Sequence, residues 1–270
     1  MSTKICINIT VNNGETKNNS KVKQYSDIVA KRIKPRMPNT ALKTVTDETE
    51  LFRYMDYYKF KDLLETQCLF FSNTKINLDN RERQISTTFY KSINQDSKDL
   101  QQRIEQIKQE KIKAYLTCWS KEQDSYALWK LYNQSNDGCR ISTTFGELKK
   151  CLGEDKVAFF EVEYINPNAK DVSLDPIFFE DGEAPTTIKG AEKYKIYPYK
   201  YEQEVRGVIY SEVDCNGILV NIDVNNLIKK VMPNPFATEE SRGRIADLVA
   251  MYIPNVQYES SEIDESKKKG

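Results

Sequence analysis

The chain has 270 residues, with 40 Lys and Arg set against 40 Asp and Glu and no histidine. The charge balance removes any global field toward nucleic acid or anionic lipid, so such a partner must be met by a local patch. The missing imidazole excludes Ser-His-Asp and Cys-His nucleophilic sites, His-ligated zinc hydrolases and His-Glu deaminases. Chemistry run by carboxylates, arginine, lysine, hydroxyls and aromatics survives. Hydrophobic content of 39% with 30% charged residues is polar, yet rich enough in Tyr and Phe to fold. No run approaches the roughly 18 apolar residues of a membrane helix, and residues 1–20 lack the apolar stretch of a signal peptide, which predicts a soluble, cytoplasmic protein. Cys6, Cys68, Cys118, Cys139, Cys151 and Cys215 form no CxxC pair. They are expected as reduced, mostly buried thiols.

Residues 1–46 read as an N-terminal extension, with a strand at 5–11, a helical patch at 22–33, and Pro35 and Pro38 as breakers. From Leu51 the pattern sharpens into a strand (LFRYMD), a helix over 58–65 and a strand over 68–72, a β-α-β opening. Leu100, Ile104, Ile107 and Ile112 predict an amphipathic helix over 97–113. A strand at 114–120, a helix at 126–132, a turn at 136–138 and strands at 139–145 and 157–164 follow. Residues 166–192 hold three prolines and two glycines among acids, which predicts a long surface loop of the kind that carries function. Beyond it lie strands at 201–210 and 218–222, a short helix at 224–231 and an amphipathic helix at 239–252. The whole predicts one α+β domain over 47–261 and a disordered tail over 262–270. The string ISTTF occurs at 85–89 and 141–145, but its flanks differ, so there is no internal repeat.

Four groups of residues could carry chemistry. Glu202 and Glu204 enter an apolar strand two residues apart, where alternation puts both carboxylates on one face and each raises the other's pKa. The plainer alternative is a pair of acids at an exposed strand edge. Arg53, on the first strand of the β-α-β opening, could clamp a pyrophosphate, or form a surface ion pair. Two strands bear hydroxyls, 117–120 with Ser120 and 142–144 with Ser142, which is also ordinary β-strand composition. The aromatics Trp129 and Tyr132 lie three apart on one helical face, which suits a core, and the tyrosines at 194, 197, 199 and 201 could form a recognition loop.

Taken in order, these pieces resemble a known arrangement. LFRYMDYYKFKDLLETQCLFFS is similar to the first strand, helix and second strand of ADP-ribosyltransferases of the Arg-Ser-Glu type: Arg53, then Ser120 or Ser142, then Glu202-Gln203-Glu204. More closely, residues 51–261 resemble the bacterial family catalogued as domain of unknown function 2971, through LFRYMD, CWS at 118–120, ALWKLY at 127–132, 138–141, YEQEVR at 201–206, VNNLIKKVMPNP at 224–235 and VQYES at 256–260. That family carries Asn-Asp-Pro after the second strand, where this chain has Asn77-Leu78-Asp79-Asn80 without the proline.

The resemblance implies an ADP-ribosyltransferase-like fold: a split mixed or antiparallel sheet with flanking helices. It implies NAD as substrate, no metal, and an enzyme that breaks the nicotinamide glycosidic bond and transfers ADP-ribose to a macromolecular acceptor, protein or nucleic acid, as a toxin or phage-defence effector. Arg53 and Tyr54, a serine from Ser120 or Ser142, and Trp129 and Tyr132 would contact the NAD. Glu204 would stabilise the oxocarbenium ion and Glu202 would orient or deprotonate the acceptor. The alternatives are an NAD hydrolase sharing this site, and a non-catalytic nucleotide- or nucleic-acid-binding module in which Arg53, Arg206 and the tyrosines hold a ligand.

Overall fold

The computed structural model describes residues 42–74, 113–153, 157–166 and 191–264, together with the backbone of short strands at 22–24, 35–36, 177–181 and 184–189. Its class is α+β, with helices flanking a mixed, mostly antiparallel sheet. Strands β1 (Val22–Gln24) and β2 (Pro35–Arg36) precede β3 (Glu50–Met55), helix α1 (Tyr57–Thr66) and β4 (Cys68–Asn73). Then come β5 (Lys113–Ser120), α2 (Tyr126–Tyr132), β6 (Cys139–Thr144), α3 (Phe145–Leu152), β7 (Ala158–Glu161) and β8 (Glu163–Ile165). The remainder is β9 (Ile177–Asp181), β10 (Ala184–Lys189), β11 (Tyr194–Ile196), a 3-10 helix (Tyr197–Glu202), β12 (Glu204–Ser211), β13 (Gly217–Asn221), α4 (Val224–Leu227), β14 (Lys230–Pro233), α5 (Glu239–Tyr252) and β15 (Gln257–Tyr258).

Several elements differ from the sequence reading. Residues 22–24 form a strand parallel to β13, where a helix is expected. The expected strand at 157–164 breaks at Val162, so β7 pairs with β12 while β8 pairs with β11. The expected loop at 166–192 contains the antiparallel pair β9 and β10. The strand at 139–145 stops at Thr144, whose hydroxyl accepts a hydrogen bond from Glu147 N and starts α3. The helix expected to 231 stops at Leu227 because Val231 and Met232 pair with Ile141 and Arg140 of β6. Residues 262–264, expected in the tail, are held: Glu262 N and the Ser261 hydroxyl donate to Asp124, and Asp264 pairs with Arg242 at 3.0 Å. The expected strand at 5–11, helix at 97–113, Asn77–Asn80 stretch and residues 265–270 lie outside the described residues.

The chain forms two compact units, one from residues 1–44, 70–117 and 155–219 and the other from 45–69, 118–154 and 220–270. In the first, every residue of β12 is buried. It runs antiparallel to β7, with Val205 opposite Glu161 and Val208 opposite Ala158. Ala114, Ala158, Phe160, Val208 and Tyr210 form its apolar core, with Leu116 packed against them.

In the second unit β3 is flanked on one side by β6, paired residue for residue from Glu50 with Thr144 to Met55 with Cys139. On its other side Phe52 pairs with Ser120 of β5. Phe52, Tyr54, Leu128, Trp129 and Met232 form a core between this sheet and α2. Asp56 caps α1 by accepting from Lys59 N, and Gln67 ends it in the left-handed region at φ 53°. The described cysteines Cys68, Cys118, Cys139, Cys151 and Cys215 are all free thiols, and burial pushes the Cys139 thiol well above its usual pKa.

Gly138 opens β6 against the end of β3, and a Cβ there would lie 2.0 Å from the Met55 carbonyl oxygen and 2.6 Å from Asp56 Cα. Both neighbours are backbone and cannot swing away. Gly138→Ala is therefore expected to lower the stability of this unit by about 2 kcal/mol or more, read as a lower urea midpoint.

Candidate functional site

The first unit brings together the two acids that the sequence singles out, by a route other than strand alternation. Glu202 closes the 3-10 helix, Gln203 turns the backbone through the left-handed region at φ 44°, and the strand begins at Glu204. A non-glycine residue in that region is strained. Two hydrogen bonds to the Lys200 carbonyl, from Gln203 N and Gln203 Nε2, hold the turn. The carboxylates then converge on Lys195 of β11, whose Nζ lies 2.7 Å from Glu202 Oε2 and 3.1 Å from Glu204 Oε1.

The neighbour of Glu204 on its own strand face is Arg206, whose Nε donates to Glu204 Oε2 at 2.7 Å. Arg206 also donates to the Glu192 carbonyl at 2.9 Å, and the Glu192 carboxylate accepts from the Tyr210 hydroxyl. Glu204 N donates to the Tyr164 hydroxyl at 2.8 Å, and the Tyr199 ring lies 4.6 Å from Lys195 Nζ. Lys195, Glu202, Glu204 and Arg206 are each 2–6% exposed.

The environment drives the two acids apart. Burial pushes the Glu202 carboxyl up, and its hydrogen bond and negative charge partner Glu204 add to that, giving about 7 against the usual 4.5. Burial works against the Glu204 carboxylate too, but Arg206 and Lys195 outweigh it and bring Glu204 down to about 2. Lys195 is likewise penalised by burial, yet Glu204 and Glu202 raise it above its usual value. Near neutral pH the pair therefore consists of a fixed anion and a carboxyl that exchanges its proton. Such a pair can stabilise a cation with one member and accept a proton with the other.

The other candidates belong to the second unit. Register places Ser120 and Ser142 on either side of Phe52, so both serines share its face of the sheet. Arg53 is opposite Ile141 and points to the other face, with Cζ 5.8 Å from the Trp119 ring centroid. Burial lowers its pKa below the ordinary guanidinium value. The hydroxyl on the Arg53 face of β6 is Thr143, opposite Leu51. Ser120 Oγ accepts from Glu122 N, while Ser142 Oγ has no hydrogen-bond partner among the described residues.

Tyr54 and Trp129 are core residues in edge-to-face contact at 4.8 Å. The Tyr54 hydroxyl donates to the Glu122 carbonyl and Trp129 Nε1 donates to Asp124. Tyr132, three residues on from Trp129, is 44% exposed and does not share that core position.

Two residues outside the sequence candidates, Lys195 and Arg140, matter here, as does Arg206, which the sequence offered only for the binding-module alternative. Lys195 lies among the tyrosines at 194–201, and its signal was a cation nine residues before Glu204 in a strand of alternating pattern. Arg206 stands two residues beyond Glu204, visible as a like-facing partner once the strand start is known. Arg140, fully buried on β6, donates to the Gln123 carbonyl and to Glu259, and its guanidinium lies 4.6 Å from the Phe52 centroid. Lys230 completes that cluster at 3.0 Å from both Glu259 and Glu50. A buried arginine in a short Gly-Cys-Arg-Ile string gave no sign of it in advance. Among the described residues no three of Cys, Asp and Glu converge as metal ligands, and no helix is long and apolar enough to cross a membrane. No family model, curated protein or solved structure matches this chain.

The split has a consequence for stability. Glu202 binds its proton more tightly folded than unfolded, so its contribution is full below the unfolded value of 4.5 and is lost as pH rises through about 7. Glu204 has the opposite sign: its contribution is present above 4.5 and is lost as pH falls through about 2. The wild type is expected to lose on the order of 2 kcal/mol between pH 5 and 8 through Glu202. Urea unfolding across that range checks this, since Glu202→Gln should abolish the slope.

Proposed function

We propose that this chain acts on the nicotinamide glycosidic bond of NAD and transfers ADP-ribose to a macromolecular acceptor inside the cell. The observation that carries the reading is the carboxylate pair at Lys195, one member held as an anion and the other titrating near neutrality. In the reaction the bond from ribose C1′ to the nicotinamide nitrogen breaks and its electron pair leaves with nicotinamide. The ribose becomes an oxocarbenium ion, for which the Glu204 carboxylate is the electrostatic partner. The acceptor hydroxyl, amine or amide bonds to C1′ and gives its proton to Glu202. With water as acceptor the same steps amount to NAD hydrolysis.

A second reading has its own observation. Both Glu204 oxygens are engaged, one by Lys195 and one by Arg206, and all four charged groups are buried. A closed ion network of this kind suits a non-catalytic nucleotide- or nucleic-acid-binding module, in which it serves to fix β11 against β12. Under the first reading one of those cations must release Glu204 when NAD binds.

The two readings separate on labelled NAD incubated with the full chain and cell lysate, following nicotinamide release and label transfer. The first expects release that drops at least a hundredfold in Glu204→Gln and moderately in Glu202→Gln. Because Glu204→Gln leaves Lys195 and Arg206 short of a buried anion, it should also destabilise by about 3–5 kcal/mol, so circular dichroism must show it folded at the assay temperature. Absence of release from folded wild type, with NAD or nucleic acid still bound, selects the second reading.

A further inference from the structure

We infer that Lys195 is a positioning residue that loosens the hold of Glu202 on its proton by lending one ammonium to both carboxylates. Its placement is what couples the two acids. Lys195 enters from β11, whose register sets it opposite Tyr164 on β8, and its Nζ bridges Glu202 Oε2 and Glu204 Oε1. Glu204 then receives a second cation through its other oxygen, from Arg206 Nε, and Arg206 is itself fixed by the Glu192 carbonyl. Among the described residues Glu204 meets Lys195 and Arg206, and Glu202 meets Lys195. With all four groups buried, the excess charge falls on the carboxylate with two cationic partners, and the proton falls on the other. Glu202 then acts as a hydrogen-bond donor to Glu204, which further commits Glu204 to the anionic form.

The other described groups facing the pair supply no such shared cation. Tyr164 meets Glu204 through its backbone N–H, and burial raises its hydroxyl above its usual value. Tyr201 beside Glu202 is also raised, first by burial and then by that carboxyl. Both stay neutral near pH 7. The Tyr199 ring lies against the Lys195 ammonium and holds its place without adding charge. Glu192 and Tyr210 are reached through Arg206 and bond to one another. Lys195 thus touches both acids, and its loss would take a cation from each.

The assignment concerns proton placement and stands apart from turnover; the role of that placement in catalysis rests on the proposed NAD reaction. The test is carboxyl-carbon and lysine-nitrogen NMR on the full-length protein labelled in Glu and Lys, titrated from pH 4 to 9. In the wild type, one Glu carboxyl should titrate near neutrality and vanish in Glu202→Gln, and one lysine Nζ resonance should shift with the same midpoint. Lys195→Arg should keep the Glu202 midpoint within about half a unit, while Lys195→Met should raise it by about one unit or more. If the protein releases nicotinamide, the acid limb of its pH profile should move upward with that midpoint in Lys195→Met and stay in Lys195→Arg, a change that loss of stability alone does not cause. A wild type in which no lysine nitrogen follows the Glu202 titration overturns the assignment without any variant, as does a folded Lys195→Met with the midpoint unmoved. If the NMR behaves as expected and no nicotinamide is released, the proton assignment stands and the NAD reaction fails.

Discussion

Burial of ionisable side chains on β12 is the constraint from which the first unit takes its form. A strand with eight buried residues that includes Glu204 and Arg206 cannot leave either charge unpaired, because an isolated buried ion costs several kcal/mol even after relaxation. Pairing the two with each other leaves one Glu204 oxygen unanswered, and Lys195 answers it. β11, paired with β8, delivers that lysine, and the left-handed Gln203 stands between Glu202 and Glu204, both of which meet it. The strained turn brings Glu202 back onto Lys195, where regular alternation would have sent a strand residue along the same face instead.

The second unit solves a similar problem with different parts. Arg140, on the face of β6 that also bears Ser142, lies over Phe52 and is matched by Glu259 from the segment following β15, with Lys230 and Glu50 extending the chain of charges. The charged side chains of that cluster are thus tied to one another and to the C-terminal segment. Arg53 points from the same central strand in the opposite direction. Within this unit, then, the arginine and the serines that a linear motif groups together are parted by the pleat.

What the sequence reveals depends on the range of the interaction. The β-α-β opening, α2 and α5 were legible because each is a local pattern of apolar spacing closed by a cap: Asp56, Ser125 and Thr238 each accept from a first-turn N–H. Helix α3 carries an equally local signal, Thr144 followed three residues later by Glu147, but the run of β-formers before it reads as strand through Phe145. Strand β14 was illegible for the opposite reason, since Lys-Val-Met-Pro has no local strand signature and becomes one by pairing with β6. The acids at 202 and 204 stood out as a pair. Their inequality did not, since it depends on a lysine from a different strand and on a backbone turn that no residue at 203 announces. Arg53 and Ser142 were both read as site residues, and which face each takes is a matter of register, fixed by the six pairs between β3 and β6.

The thiols carry a further consequence. Cys215 is almost completely enclosed in the first unit, between the Tyr115 hydroxyl and the Gly217 carbonyl. Cys139 is fully enclosed in the second, at the head of β6. Neither can meet an alkylating reagent until the backbone around it opens, and burial keeps Cys139 in its unreactive protonated form meanwhile. The molecule thus carries a native clock in each half: the rate at which each sulfur becomes modified measures how often its own surroundings come apart. Comparing the two rates distinguishes a protein that opens as one cooperative body from one whose halves breathe on separate schedules, with no foreign label introduced.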